Sequence, residues 1–166
     1  KDAPVSLPYR VFYTYTFYNK AGLKVGEMNA DYLTEYVYDA RGLLIESIAY
    51  ATRFDGVITV DESTVESIRP PIALNDHHTR YHYNDLNQLV EEKTATGLLI
   101  QYTYNEQGLL IAKTASDVKN KTTRENQNRY DTLGRLIQSL NAQGAALLQT
   151  AKNPEDIEKI WQQYAI

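Results

Sequence analysis

Tyr38-Asp39-Ala40-Arg41-Gly42-Leu43-Leu44 and Tyr130-Asp131-Thr132-Leu133-Gly134-Arg135-Leu136-Ile137 are two copies of one phrase, and the fold follows from how that phrase reads. An aromatic residue ends a strand. Asp then bonds its own backbone two residues on, and Gly supplies the left-handed conformation that reverses the chain. Three looser copies accompany these two: Tyr18-Asn19-Lys20-Ala21-Gly22-Leu23, Tyr83-Asn84-Asp85-Leu86-Asn87-Gln88-Leu89 and Tyr104-Asn105-Glu106-Gln107-Gly108-Leu109. Asn replaces Asp at 19, 84 and 105, and Asn87 replaces Gly. Both exchanges keep the turn chemistry, because Asn caps as Asp does and tolerates positive φ. The structural turn residues are therefore Gly22, Gly42, Asn87, Gly108 and Gly134 with Asp39 and Asp131; the repeat aromatics are Tyr18, Tyr38, Tyr83, Tyr104 and Tyr130.

Before each tyrosine the chain alternates, as in Thr34-Glu35-Tyr36-Val37-Tyr38 and Gln101-Tyr102-Thr103-Tyr104, so each phrase closes a strand with one aromatic face. After each turn comes a strand that opens with aliphatics and ends in polar residues, such as Leu89-Val90-Glu91-Glu92-Lys93. Tandem antiparallel hairpins in a twisted, spiralling sheet are expected, mainly β, with a helical insertion near the C-terminus. Internal repetition dictates this architecture. The chain reads as one continuous unit over 1–166, with hairpin phrases at 9–50, 79–117 and 126–144 and insertions at 51–78 and 145–162.

In the first insertion Phe54-Asp55-Gly56-Val57 places Asp-Gly between apolar runs, which predicts a tight hairpin. Pro70-Pro71 ends a helical turn begun at Thr64 to Ile68. The second insertion shows itself by comparison. Thr94-Ala95-Thr96-Gly97 leads at once into a strand, whereas its counterpart Asn141-Ala142-Gln143-Gly144 is separated from Gln163-Tyr164 by a longer stretch. A helical pair spliced into a hairpin turn is expected there. Asn153 caps its second helix, Pro154 suits the first position, and Glu155 and Asp156 put negative charge on the first turn. Ile157, Ile160, Trp161 and Tyr164 form its apolar stripe, whose burial is worth roughly 6–12 kcal/mol.

The 166 residues are 43% hydrophobic and 23% charged, with fourteen Tyr against three Phe and one Trp. That profile belongs to a folded sheet with half-buried aromatic faces. A formal charge of -4 without a Lys/Arg cluster argues against a nucleic-acid partner, and apolar runs of four or five residues give no membrane span. Chemistry finds little support. There is no cysteine, no Gly-x-Ser-x-Gly elbow and no phosphate loop. His77, His78 and His82 lie close in sequence but read as a strand entry rather than a metal site. The pairs Asp61-Glu62, Glu91-Glu92 and Glu155-Asp156 read as solvated ends, because adjacent strand residues face opposite ways. No catalytic residue, metal or cofactor is expected, and the chain is read as no enzyme. The aromatic ladders Tyr13-Tyr15-Phe17, Tyr36-Tyr38, Tyr81-Tyr83 and Tyr102-Tyr104 serve the sheet itself, or offer a carbohydrate or protein ligand a stacking face.

The tyrosine-to-glycine phrases, repeated from about Tyr9 onward, resemble those of the Rhs/YD-repeat family. The resemblance implies a segment of a large secreted or cell-surface bacterial protein whose partners are neighbouring repeats of the same chain. It implies a scaffold or adhesive surface, or alternatively a wall segment of an Rhs-type or toxin-complex shell enclosing a toxic domain.

Overall fold

The computed structural model describes residues 13–59 and 62–166. The Tyr9 start of the first hairpin phrase and Asp61 of the Asp61-Glu62 pair lie outside the described residues. Two compact units divide after His78, and each is taken by itself. The expected class is the observed one: antiparallel hairpins in chain order, with a helical insertion near the C-terminus.

The first unit contains β1 (Thr14–Tyr18), β2 (Lys24–Asn29), β3 (Tyr32–Tyr38) and β4 (Leu44–Ala49), each paired with the next, and α1 (Val65–Ile68). One face of this sheet is covered by the segment that follows β4. Met28, Leu33, Tyr50, Val65 and Ile68 are buried together, with Phe17, Val25, Ile48, Phe54 and Ile58 packed around them. Gly26 permits that cover: a β-carbon there would sit 2.5 Å from Val65 Cγ2. Only a bare backbone lets α1 approach so closely. The short helix is held at its start by Thr64 and Ser67, each side chain bonding the other's backbone N–H.

The hairpin expected at Asp55-Gly56 does not form. Residues 51–59 contain no strand, and Gly56 has no positive φ. Phe54 turns inward against the core instead, its ring lying over Gly56, and its N–H donates to the Asp31 carbonyl at 2.8 Å. Packing of the partly buried Phe54 and Ile58 against the core outweighs the local turn preference. Two-residue reversal does occur at Ala30-Asp31, where both residues have positive φ (47° and 70°) between the paired Asn29 and Tyr32.

The second unit contains β5 (His77–Tyr83, whose first two residues precede the division), β6 (Leu89–Thr94), β7 (Leu98–Tyr104), β8 (Leu110–Asp117), β9 (Thr122–Tyr130) and β10 (Leu136–Leu140). These run antiparallel in chain order, followed by α2 (Ala142–Leu148) and α3 (Pro154–Tyr164). Gly144 does not turn a strand as Gly97 does. Asn141 accepts from its N–H at 3.0 Å and starts α2, so the helical pair leaves β10 directly. Leu140, Ala145 and Trp161 are buried at its base, with Leu148, Ile160 and Tyr164 around them. The Arg129 guanidinium lies 4.2 Å from the Trp161 ring centre and pairs with Glu158 at 2.8 Å. After α3 the chain returns to β10: Leu140 bridges Ala165, and Ser139 and Ile166 exchange backbone hydrogen bonds at 3.3 and 2.9 Å.

Candidate functional site: a repeated turn and tyrosine clamp

Five turns share one geometry. In each, the Asn or Asp Oδ1 accepts from the N–H two residues on and from the N–H four residues on, at 2.9–3.1 Å: Asn19 from Ala21 and Leu23, Asp39 from Arg41 and Leu43, Asn84 from Leu86 and Gln88, Asn105 from Gln107 and Leu109, Asp131 from Leu133 and Arg135. The reversing residues Gly22, Gly42, Asn87, Gly108 and Gly134 have φ of 77°, 82°, 60°, 79° and 76°. One oxygen thus satisfies two donors that the tight turn would leave without partners. Two carboxylates carry more. The Leu43 N–H, together with the Arg41 side chain and N–H, outweighs partial burial and holds Asp39 below the ordinary aspartate range. Asp131 is likewise lowered, first by the Arg135 N–H and then by its side chain.

Each turn is followed by a bulge. Phe17 pairs with Gly26 while Tyr18 pairs with Lys24, which leaves Val25 as an extra residue. Ile45, Val90, Ile111 and Ile137 occupy the same place in the other four hairpins. A bulge increases local strand twist and re-aims the chain, and here it recurs at the same step of every phrase. A β-branched residue stands at each of these places, a pattern that strand alternation by itself does not flag.

The repeat tyrosine then ties one hairpin to the hairpin before it. Tyr38 donates its hydroxyl to the Lys24 carbonyl at 2.7 Å, Tyr104 to Leu89 at 2.9 Å, and Tyr130 to Leu110 at 2.8 Å. In every case the acceptor lies six residues after the preceding repeat tyrosine. Register agrees: Gly26 pairs with Glu35, Glu91 with Gln101 and Ala112 with Gln127, so the residue eight after one tyrosine always faces the residue three before the next. Amide side chains reinforce the tie, with Asn128 Nδ2 also donating to the Leu110 carbonyl at 3.0 Å and Gln88 Nε2 to the Gly108 carbonyl at 3.2 Å. Neither the hydroxyl acceptors nor the register were evident from the phrase itself. Tyr18 is 64% exposed, on β1.

A buried polar cluster secures the cover of the first unit. Glu35, 8% exposed, accepts from the Tyr50 hydroxyl at 2.8 Å and from Arg69 Nε at 2.8 Å, with Arg69 Nη2 closing a two-pronged pair. Burial works to raise the Glu35 pKa, but the bonds from Arg69 and Tyr50 and the guanidinium charge prevail and leave it lowered. Tyr50 is pushed up to about 12 by burial and by its bond to that carboxylate. Asp76, also buried, accepts from the N–H groups of Ala51 and Ala73 at 2.8 Å and closes the base of the insertion.

Beside this cluster are two open grooves on the covered face, of about 640 and 580 Å³, which share Asn19, Val25, Val65 and Glu66. Tyr36 and Tyr38 line one; Tyr15, Phe17 and Tyr18 line the other. A third, of about 480 Å³, lies between β8, β9 and the helical pair, with Ile111, Trp161 and Ile157 in its walls. Of the α3 stripe, Trp161 is buried, Ile160 and Tyr164 pack around it, and Ile157 stays 37% exposed at that rim. His78 Nδ1 lies 3.0 Å from Glu46, and His82 lies 3.7 Å from Glu91. Among the described residues no three His, Cys, Asp or Glu side chains converge as metal ligands. Glu92 accepts from the Tyr102 hydroxyl at 3.3 Å, while Glu155 and Asp156 occupy the first turn of α3. Among the described residues no helix is long and apolar enough to cross a membrane.

Residues 78–117, which span the β5–β8 hairpins, match the family model described as RHS Repeat. Curated protein sequences give no match. Among solved structures, the chain is similar to one in the crystal structure of TcdB2-TccC3, with TM-score 0.56 and 17% identity over 78% of this chain. A similar chain in the Tc holotoxin pore of Photorhabdus luminescens gives TM-score 0.53 and 17% identity over 77% of this chain. This chain spans only 6% and 5% of the length of those two. The resemblance read from the tyrosine phrases therefore holds: the chain carries an RHS repeat, within a sheet of the fold those toxin-complex chains share.

Proposed function

We propose that this chain is a non-catalytic stretch of wall in a shell built from stacked hairpins, within a larger secreted protein. Its coarse role is that of a structural repeat segment, and the sheet's fold similarity to the TcdB2-TccC3 chain carries the finer reading. The residue-level support is economical. Turn caps and bulges give every hairpin the same shape, and the tyrosine hydroxyls hold each on the one before, which is what a continuous wall needs. Neighbouring repeats of the same chain are then the main partners. A scaffold or adhesive surface that displays its tyrosines to a carbohydrate or protein is the other reading.

These 166 residues contain no cysteine, so a thiol introduced here is the segment's one label site, and labelling is read by peptide mapping of this segment. Lys113 pairs with Tyr102 and so shares its face, while Thr103 stands on the opposite face, and Lys113 and Thr103 are both exposed. Lys113→Cys and Thr103→Cys would be introduced separately into the full-length protein and labelled with a bulky maleimide before and after denaturation. A wall predicts that one of the two reacts only after denaturation. Equal reaction of both in the native protein overturns the wall reading in favour of a sheet open on both faces.

A further inference from the structure

We infer that Asp55-Gly56 is a modification site, at which the backbone closes on the Asp55 carboxyl to a cyclic imide and reopens as isoaspartate. This is the one Asp-Gly or Asn-Gly pair in the 166 residues. The hairpin turn it would suit does not form, and packing accounts for the glycine instead. A β-carbon at position 56 would lie 2.4 Å from Phe54 Cζ and 2.9 Å from Cε2, so the ring that Phe54 sets against the core leaves room for glycine alone. The fold thereby keeps beside Asp55 the residue whose backbone nitrogen is least hindered.

Both reacting groups are free. Among the described residues the Gly56 N–H makes no hydrogen bond. The Asp55 side chain is 86% exposed and lies 3.8 Å from Arg53 Nε, a guanidinium already bound to Asp31 at 3.1 and 2.7 Å. Residues 51–59 belong to no strand or helix, so rotation of the Asp55 backbone breaks no ladder. Other aspartates are held otherwise: Asp39, Asp117 and Asp131 spend their carboxylates on backbone N–H groups further along the chain, and Asp76 is buried. In the reaction the Gly56 nitrogen attacks Cγ of Asp55 in its acid form. The N–Cγ bond forms, a Cγ–O bond breaks, and the amide proton leaves with the hydroxyl as water. Water then adds to the main-chain carbonyl of Asp55 and breaks its bond to the nitrogen, which stays on Cγ. The backbone thus gains one carbon between Phe54 and Ile58, the two residues of this segment packed on the core. No catalyst or partner is required, and the inference is independent of whether the sheet is a wall or an adhesive surface.

The test incubates the full-length protein at physiological temperature and neutral pH, natively and in urea, with protected β3 amides verifying the native fold. Samples are digested with a protease that cleaves before α-linked aspartate only, and peptides are mapped by mass spectrometry. A peptide of unchanged mass that resists cleavage before residue 55 should accumulate, preceded by one lighter by a water. Its native rate should be close to that in urea, because a loop whose local opening costs almost nothing gives no protection. Asp55→Glu, which would need a six-membered ring, should abolish the product, and Asp55→Asn, which releases ammonia instead of water, should form it faster. A native rate slower than that in urea by about ten-fold or more overturns the inference, because the fold then shields the pair. Persistence of the resistant peptide in Asp55→Glu overturns it as well.

Discussion

Replacing Tyr104 by Phe keeps the ring in its packing and removes only the hydroxyl that reaches the Leu89 carbonyl at 2.9 Å. Tyr130→Phe is the matched control, because the Leu110 carbonyl it leaves still accepts from Asn128 Nδ2 at 3.0 Å. A net intramolecular hydrogen bond contributes about 0.5–1.5 kcal/mol, and its loss costs about 1–3 kcal/mol where a buried group is left unsatisfied, so a half-buried acceptor falls where the two ranges meet. Tyr104→Phe should therefore cost about 1–1.5 kcal/mol and Tyr130→Phe about half as much. For chains of 150–250 residues, 1 kcal/mol corresponds to about 2–4 °C in the melting midpoint. Urea unfolding followed by fluorescence of Trp161, the chain's one tryptophan, reports the second unit, where both tyrosines lie. In an Asn128→Ala background the cost of Tyr130→Phe should rise to that of Tyr104→Phe, a coupling that a double-mutant cycle isolates. If Tyr104→Phe leaves the midpoint unchanged, or Tyr130→Phe costs more than Tyr104→Phe, the hydroxyl tie does not hold hairpin to hairpin.

Three further outcomes follow from the same geometry. Gly42→Ala should destabilise by about 1–2 kcal/mol through positive φ alone, since its β-carbon would meet only Leu23 Cδ1 at 3.7 Å; a cost below about 0.3 kcal/mol in chemical denaturation would refute the strain argument. Glu35 has a folded pKa below its ordinary 4.5, so its contribution is complete above that value and disappears as pH falls through the lowered one. Glu35→Gln should lower stability at pH 7 and flatten the acid limb of the stability profile; parallel profiles for the two proteins would count against the cluster. Trp161→Ala should cost about 3–5 kcal/mol and release α3, visible as exchange of its amides with those of the β5–β8 strands retained. Loss of all protection at once would mean that the helical pair and the strands fold as one unit.

What the sequence determined by itself was the set of repeated turns and the helix start, each governed by contacts a few residues long. The five reversals depend on Asn or Asp at the start and on Gly or Asn87 at the left-handed position, and each needs only its own backbone within four residues. Asn153, Pro154 and the acidic first turn specified α3 for the same reason. Tertiary structure decided the rest. Asp55-Gly56 has the local signature of a hairpin, yet Phe54 and Ile58 gain more by covering a sheet face assembled from residues distant in sequence. The acceptors of the tyrosine hydroxyls are backbone carbonyls, whose chemistry is the same in every residue, so only the pairing of strands selects Lys24, Leu89 and Leu110. Glu35, Tyr50 and Arg69 likewise meet across as many as 34 positions, and no spacing within the chain could announce a carboxylate that becomes buried only when α1 closes over Gly26.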